Sequence, residues 1–174
     1  MRRFVIVMLL IVSSAAAAIV RTQGTRSEPD RVVLWPDAEL NDLEARELIP
    51  KAKASIPRGT SVGFQQFLNT PTHTVLVSHR ESTGNTPELH NAETDIMFVR
   101  SGGGVLQVGG EIVDRKENPA GATGSAIRGG TNYTLKVGDV INIPPHVAHN
   151  WLLEAGQSVT YFVVKVKTKD APVP

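Results

Sequence analysis

Cysteine is absent from the 174-residue chain. That excludes a disulfide framework, a thiol nucleophile and any zinc or iron–sulfur site held by thiolates. A metal in this protein is therefore held by histidines and carboxylates. The absence does not argue against export; it means only that disulfides are not used there. Aromatic residues make up 5% of the chain, too few for a platform that stacks nucleic-acid bases. Neither sign of charge dominates, since 18 Lys and Arg against 17 Asp and Glu give a formal charge of +1. An electrostatic nucleic-acid binder carries a basic excess gathered on one face, and the sequence shows no such excess. What the chain does have is 41% hydrophobic and 20% charged residues, the balance of one globular domain able to bury a core.

The first 18 residues, MRRFVIVMLLIVSSAAAA, fall into three parts. Arg2 and Arg3 are a positive start, Phe4 to Val12 an apolar run, and Ser13 to Ala18 a stretch of small residues with Ala-x-Ala cleavage sites. This is the layout of a secretory signal peptide, with cleavage expected near Ala18. The competing reading is an uncleaved anchor, because Phe4–Val20 is uncharged and just long enough for a thin bilayer. Ser and Ala dilute the second half of that run. The expectation is an exported protein, secreted or periplasmic, with no membrane attachment after cleavage. Without Arg2 and Arg3 the count is 16 basic against 17 acidic residues, a formal charge of −1.

Residues 19–59 read as a polar lead and one helix, 60–168 as the main domain and 169–174 as a tail. Pro36 precedes DAELNDLEARELIPKAKA. Proline at a helix start costs nothing, because its missing N–H would be unpaired there. Asp37 and Glu39 sit where the helix dipole favours anions. Leu40, Leu43, Glu47 and Leu48 follow helical spacing, and Pro50 is expected to end or kink the element. The apolar stripe lacks the basic rim of a membrane-surface helix and reads as core.

From Val62 onward the apolar period is two. SVGFQQFLN and HTVLVSH read as strands around an Asn69-Thr70-Pro71 turn. DIMFVRS and VLQVGG flank Gly102-Gly103-Gly104, which reads as a hairpin turn, and EIVD is a short strand. Residues 115–131 read as a long loop or extended hairpin, and TLKVG, DVINIP, HNWLLE and VTYFVVKVKT complete the chain as strands. Many short strands with no long helix among them predict an all-β antiparallel sandwich or barrel.

The chain has five histidines, and three of them fall into two clusters. The first is Pro87-Glu88-Leu89-His90 followed by Glu93 and Asp95; the second is Pro144-Pro145-His146-Val147-Ala148-His149. Residues i and i+2 of a strand share a face, so Glu88 and His90 point the same way. Asp95 joins them if its strand pairs with theirs, and His149 can supply a fourth ligand. Histidine with carboxylates and no thiolate suits Mn, Fe(II), Ni or Zn. Two inward carboxylates repel unless a cation or a proton lies between them, which favours a metal. His146, on the loop before His149, is a candidate general acid–base. Arg80 is a candidate contact for an anionic substrate. His73, Val75, Val77 and His79 share one strand face and read as barrel wall, and Trp151 points the same way as His149.

These two clusters resemble the two signature motifs of the cupin superfamily, a small β-barrel. The first motif runs Gly, five residues, His-x-His, three or four residues, Glu, six residues, Gly. Glu88 stands at its first His, His90 at the second, Asp95 at the Glu and Gly102 at the closing Gly, while the opening Gly position holds Ser82. The second motif runs Gly, five residues, Pro-x-Gly, two residues, His, three residues, Asn. Gly138, Pro144 and His149 match in register, with His146 in place of the Gly and Leu153 in place of the Asn. The resemblance covers roughly residues 60–168. It implies a double-stranded β-helix barrel behind one N-terminal amphipathic helix, and it assigns Glu88, His90, Asp95 and His149 as ligands of a divalent metal, with Glu93 as a rival carboxylate. It further implies a homodimer, to which the apolar Val32–Trp35 patch and the helix stripe would contribute. The expected function is a metal-dependent enzyme of oxygenase, isomerase or lyase type acting on a small oxygenated molecule. The alternative is a non-enzymatic barrel that binds a small ligand or serves a structural role.

Overall fold

The computed structural model describes residues 32–82 and 85–168. The leader read over residues 1–18, the first part of the lead and the tail lie outside the described residues. The protein is mostly β, with 54% strand in a curled antiparallel sheet that forms a half-barrel, and one helix of 19 residues near the N-terminus. Among the described residues no helix is long and apolar enough to cross a membrane.

The helix starts where Pro36 places its carbonyl, which accepts from the Glu39 and Leu40 amides at 3.1 Å each. Helix α1, Asp37–Leu43, passes through one π-turn, Glu44–Leu48, into α2, Ile49–Ser55. The sequence predicts an end or kink at Pro50, yet the helix continues past it. Proline brings no amide hydrogen and its ring crowds the carbonyl four residues back. The turn before it is wider, with Ile49 N–H bonded to Glu44 O, and such a π-bulge absorbs the mismatch.

Strands β1, Val62–Asn69, and β2, His73–Glu81, flank the expected turn. Strand β3, Glu88–His90, is followed by β4, Glu93–Val108. Strand β5, Glu111–Val113, is the short strand expected at EIVD, and β6, Lys116–Asn118, β7, Gly121–Thr123, and β8, Ala126–Arg128, occupy the stretch read as a loop or extended hairpin. Strands β9, Thr131–Lys136, β10, Val140–Ile143, β11, His149–Leu152, and β12, Ser158–Lys167, complete the fold.

The hairpin expected at Gly102-Gly103-Gly104 does not form. Strand β4 runs through the glycines, and its first half pairs with β10 and β12 while its second half pairs with β9 and β11. Gly102 has φ 66, and the register against β12 shifts between Thr160 and Tyr161. The glycines are thus a corner at which one strand changes sheets, a recognised use of bulges and glycine within strands. Between the sheets lie Met97, Val99, Leu106, Trp151, Tyr161 and Val163, all buried. The helix packs on β1 and β2, with Leu40, Leu48 and Ala52 buried. Trp35 stacks at 5.2 Å on Phe67 and lies 5.9 Å from Phe162. The helix stripe and Trp35 therefore bury against the chain's own sheet, while Val32 and Leu34 stay exposed.

Candidate metal centre

The inward face of the half-barrel follows from strand register. Glu88 lies directly opposite His149 across β3 and β11, so both side chains share a face, and His90 joins them two residues on. Asp95 comes from elsewhere. Strand β3 pairs with β11 and β7, so the condition under which Asp95 would join from a strand paired with β3 is not met. Asp95 reaches the cluster from the facing sheet, where it lies opposite Lys165 of β12.

Glu88, His90 and His149 each offer a ligand atom, and these atoms lie within 4.8 Å of one another. His149 Nε2 is 3.6 Å from Glu88 Oε1 and 3.7 Å from Asp95 Oδ2. His90 Nε2 is 3.9 Å from Glu88 Oε2 and 3.4 Å from Asp95 Oδ2. His149 Nδ1 lies 3.2 Å from the Val147 carbonyl, which can only accept, so Nδ1 carries the proton. Nε2 of the neutral ring then holds a lone pair, and it is buried with no hydrogen-bond partner. A buried acceptor left open in this way fits a metal ligand whose other nitrogen is fixed by an outer partner. Two imidazoles and one carboxylate are also a suitable donor set for a first-row metal.

Two basic side chains complete the cluster. Arg80 Nη2 donates to Glu88 Oε1 at 2.9 Å, and its Nε donates to the Tyr161 hydroxyl at 2.8 Å. Lys165 Nζ donates to both Asp95 oxygens at 2.8 Å and to His90 Nε2 at 2.7 Å. Each inward carboxylate thus has its own cation. Repulsion between Glu88 and Asp95, which the sequence offers as an argument for a metal, is already relieved by Arg80 and Lys165. Three of the four expected ligands come together, but within the three only His149 Nε2 is without a partner, and the fourth, Asp95, has both oxygens on Lys165. Glu93, the rival carboxylate, lies 4.0 Å from Lys165.

The charges are firmly held. Burial pushes the Glu88 carboxyl up, but the positive groups around it, Arg80 and Lys165 among them, outweigh it and hold the group well below the usual carboxylate range. Burial likewise opposes ionisation of Asp95, and the groups beside it, Lys165 among them, lower it on balance. Burial disfavours the Arg80 charge, while Tyr161, Glu88 and Asp95 raise its pKa beyond the ordinary arginine value. The sign of the pH dependence follows. Both carboxyls have folded pKa values below their unfolded ones, so their contribution to stability is complete above about pH 5 and is lost as pH falls from about 4 through the folded values. Urea midpoints should be level between about pH 7 and 5, fall below about pH 4, and fall less steeply in a Glu88→Gln/Asp95→Asn variant. A midpoint that rises on acidification contradicts this.

The other expected residues have definite places. Arg80 is inside the barrel in an ion pair with Glu88, with its side chain only 14% exposed. His79, its neighbour on β2, faces the opposite way. It is buried under the helix with Nδ1 2.7 Å from Thr160 Oγ1, and Thr160 Oγ1 in turn donates to Glu44 Oε1 at 2.7 Å. His73 Nδ1 lies 2.9 Å from Thr72 Oγ1 at the β1–β2 turn. His146 has φ 63, and its amide donates to the His90 carbonyl at 2.8 Å, tying the β10–β11 loop to β3. That left-handed conformation is one glycine adopts freely, in keeping with the Gly of the resembling motif. Trp151 is core and packs 5.6 Å from Tyr161. Sequence reasoning misses Lys165 and Tyr161, although VTYFVVKVK places both on the inward period-two face. A cavity of about 460 Å³ opens beside Trp151, lined by Ser82, Asn85, Asn150, Leu153 and Gln157, and none of the cluster's ligand residues lines it.

No protein-family model matches the sequence, and no curated protein matches it. Solved structures do. A cupin 2 conserved barrel domain protein from Rhodopseudomonas palustris is similar at 18% identity and TM-score 0.45, over 64% of this chain and 65% of that one. The chain's solved neighbours include cupin domains. A cupin-2 domain from Rhodospirillum rubrum matches at 14% identity and TM-score 0.45, over 65% and 64% of the two chains. Pac13, a nucleoside dehydratase from Streptomyces, matches at 14% identity and TM-score 0.44, over 63% and 72%. The chain spans just under two thirds of the length of the first two structures. At these identities the likeness concerns the fold alone.

Proposed function

We propose that the chain is a cupin, exported through its leader, that holds a divalent metal on Glu88, His90 and His149 and acts on a small oxygenated molecule. The observation that carries this reading is the His149 ring, anchored by Nδ1 on Val147 with Nε2 buried and open beside Glu88 and His90. Two histidines and one carboxylate suit Fe(II) in particular, and also Mn, Ni or Zn. When bound, such an ion supplies Lewis-acid or redox chemistry to an oxygen-bearing substrate, in a reaction of oxygenase, isomerase or lyase type. The chain's own groups orient the site. Arg80 fixes Glu88, Val147 fixes the His149 ring, and Tyr161 accepts from Arg80 behind them. The leader's three-part sequence supports export.

Elemental analysis of the untagged protein beside a His90→Ala/His149→Ala variant tests the reading. About one equivalent of Mn, Fe, Ni or Zn per chain is expected in the native form and none in the variant. No metal in either, even after reconstitution, sinks the ligand assignment. One observation favours a second reading. Arg80 and Lys165 already balance Glu88 and Asp95, so the cluster is neutral without an ion and suits a metal-free pocket for a small ligand. A metal-free protein whose melting temperature rises with such a ligand supports that alternative.

A further inference from the structure

Lys165 holds the His90 nitrogen that a metal would need. Its Nζ is 2.7 Å from His90 Nε2 and 2.8 Å from each Asp95 oxygen. An ammonium has only donors, so His90 Nε2 is the acceptor. A ring nitrogen has one lone pair, which can accept a hydrogen bond from the ammonium or bind a metal, but not both at once. Resting on the metal reading, we propose that Lys165 is a resident cation that the metal must displace, and that Glu93 receives it. In the metal-free protein Lys165 keeps Asp95 paired, where a buried carboxylate alone would be strongly unfavourable. On loading, Lys165 gives up His90.

The way out is built in. Exposure of the side chains rises from 2% at Asp95 through 16% at Lys165 to 27% at Glu93. Glu93 Oε2 already lies 4.0 Å from Lys165 Nζ. Glu93 and Asp95 are two residues apart on β4 and share its face. A lysine side chain has four rotatable bonds and a compact charge, so it can move from one carboxylate to the other without a change in the strands.

The test is a titration of the metal-free full chain with Zn(II) alone, in competition with a chromogenic chelator. Lys165→Met should bind about tenfold more tightly than the native protein, the scale on which outer partners tune metal affinity. Glu93→Gln should bind more weakly than native. Lys165→Met leaves Asp95 buried without its partner, so Lys165→Met/Asp95→Asn removes that charge too and keeps the comparison valid if the single variant unfolds. Equal affinity in native protein, Lys165→Met and the double variant overturns the displacement while leaving the metal centre standing. Binding by none of them, or undiminished binding by His149→Ala, overturns the metal reading itself and the displacement with it.

Discussion

Replacing Arg80 by Met is expected to cost about 3 kcal/mol of folding stability, and adding Glu88→Gln in the same chain should restore most of it. The guanidinium spans the two sheets. It leaves β2, bonds the Tyr161 hydroxyl and ends on the Glu88 carboxylate. Methionine keeps much of the stem's volume and removes both bonds. Glu88 then stays partly buried and ionised, with Lys165 committed to Asp95. Breaking one half of a buried pair leaves an uncompensated charge, and that is what destabilises, not the loss of the attraction alone. Glu88→Gln removes the charge while keeping the shape, so the double variant loses little more than hydrogen bonds, each worth about 1 kcal/mol. Urea midpoints of the native protein, the two single variants and the double variant decide the matter. A loss below about 1 kcal/mol for Arg80→Met would mean that the pair behaves as a surface salt bridge. A double variant no better than Arg80→Met would place Arg80's role in packing against Tyr161 instead.

The strand grammar was legible because period-two patterning survives wherever one face is buried. In β12, Val159, Tyr161 and Val163 are buried on the inward face, and the two halves of β4, though not their continuity, were readable in the same way. Two local signals misled. A run of three glycines looks the same at a tight turn and at a corner, and only the register against β12 tells them apart. Pro50 looks like a helix stop because the wider turn that accommodates it leaves no mark in hydropathy. At the site, the spacing Glu88-x-His90 and the His149 cluster were sufficient, since register carries both onto one face. What the sequence hid was charge pairing across sheets. Asp95 and Lys165 are opposite each other in register but 70 residues apart in the chain, and nothing local joins them. Read alone, the carboxylates called for a metal. Read with Arg80 and Lys165, they are balanced, and the case for a metal rests on His149 instead.

Gly102→Ala should be among the most damaging single substitutions in the chain, on the order of 4 kcal/mol, whereas Gly138→Ala should cost only about 1–2 kcal/mol. Both glycines have positive φ, 66 and 91, so both substitutions bear the steric penalty of the left-handed region. They differ in space. A Cβ at Gly102 would stand 2.0 Å from the Ser158 carbonyl oxygen and 3.3 Å from the Val159 Cα, all of it backbone of β12. A Cβ at Gly138 meets nothing within 4 Å. Backbone cannot turn aside as a side chain can, so a methyl group at the corner must either push the start of β12 away or lift β4 itself. Either movement loosens Val159 and Tyr161, and with Tyr161 the seat of Arg80. The consequence should reach the site: Gly102→Ala lowers metal affinity as well as the unfolding midpoint, and Gly138→Ala leaves metal affinity unchanged. Denaturant midpoints and Zn(II) affinity for the two variants measure this directly. Similar midpoints for both would show that the corner is soft, and that the change of sheets in β4 does not depend on a glycine there.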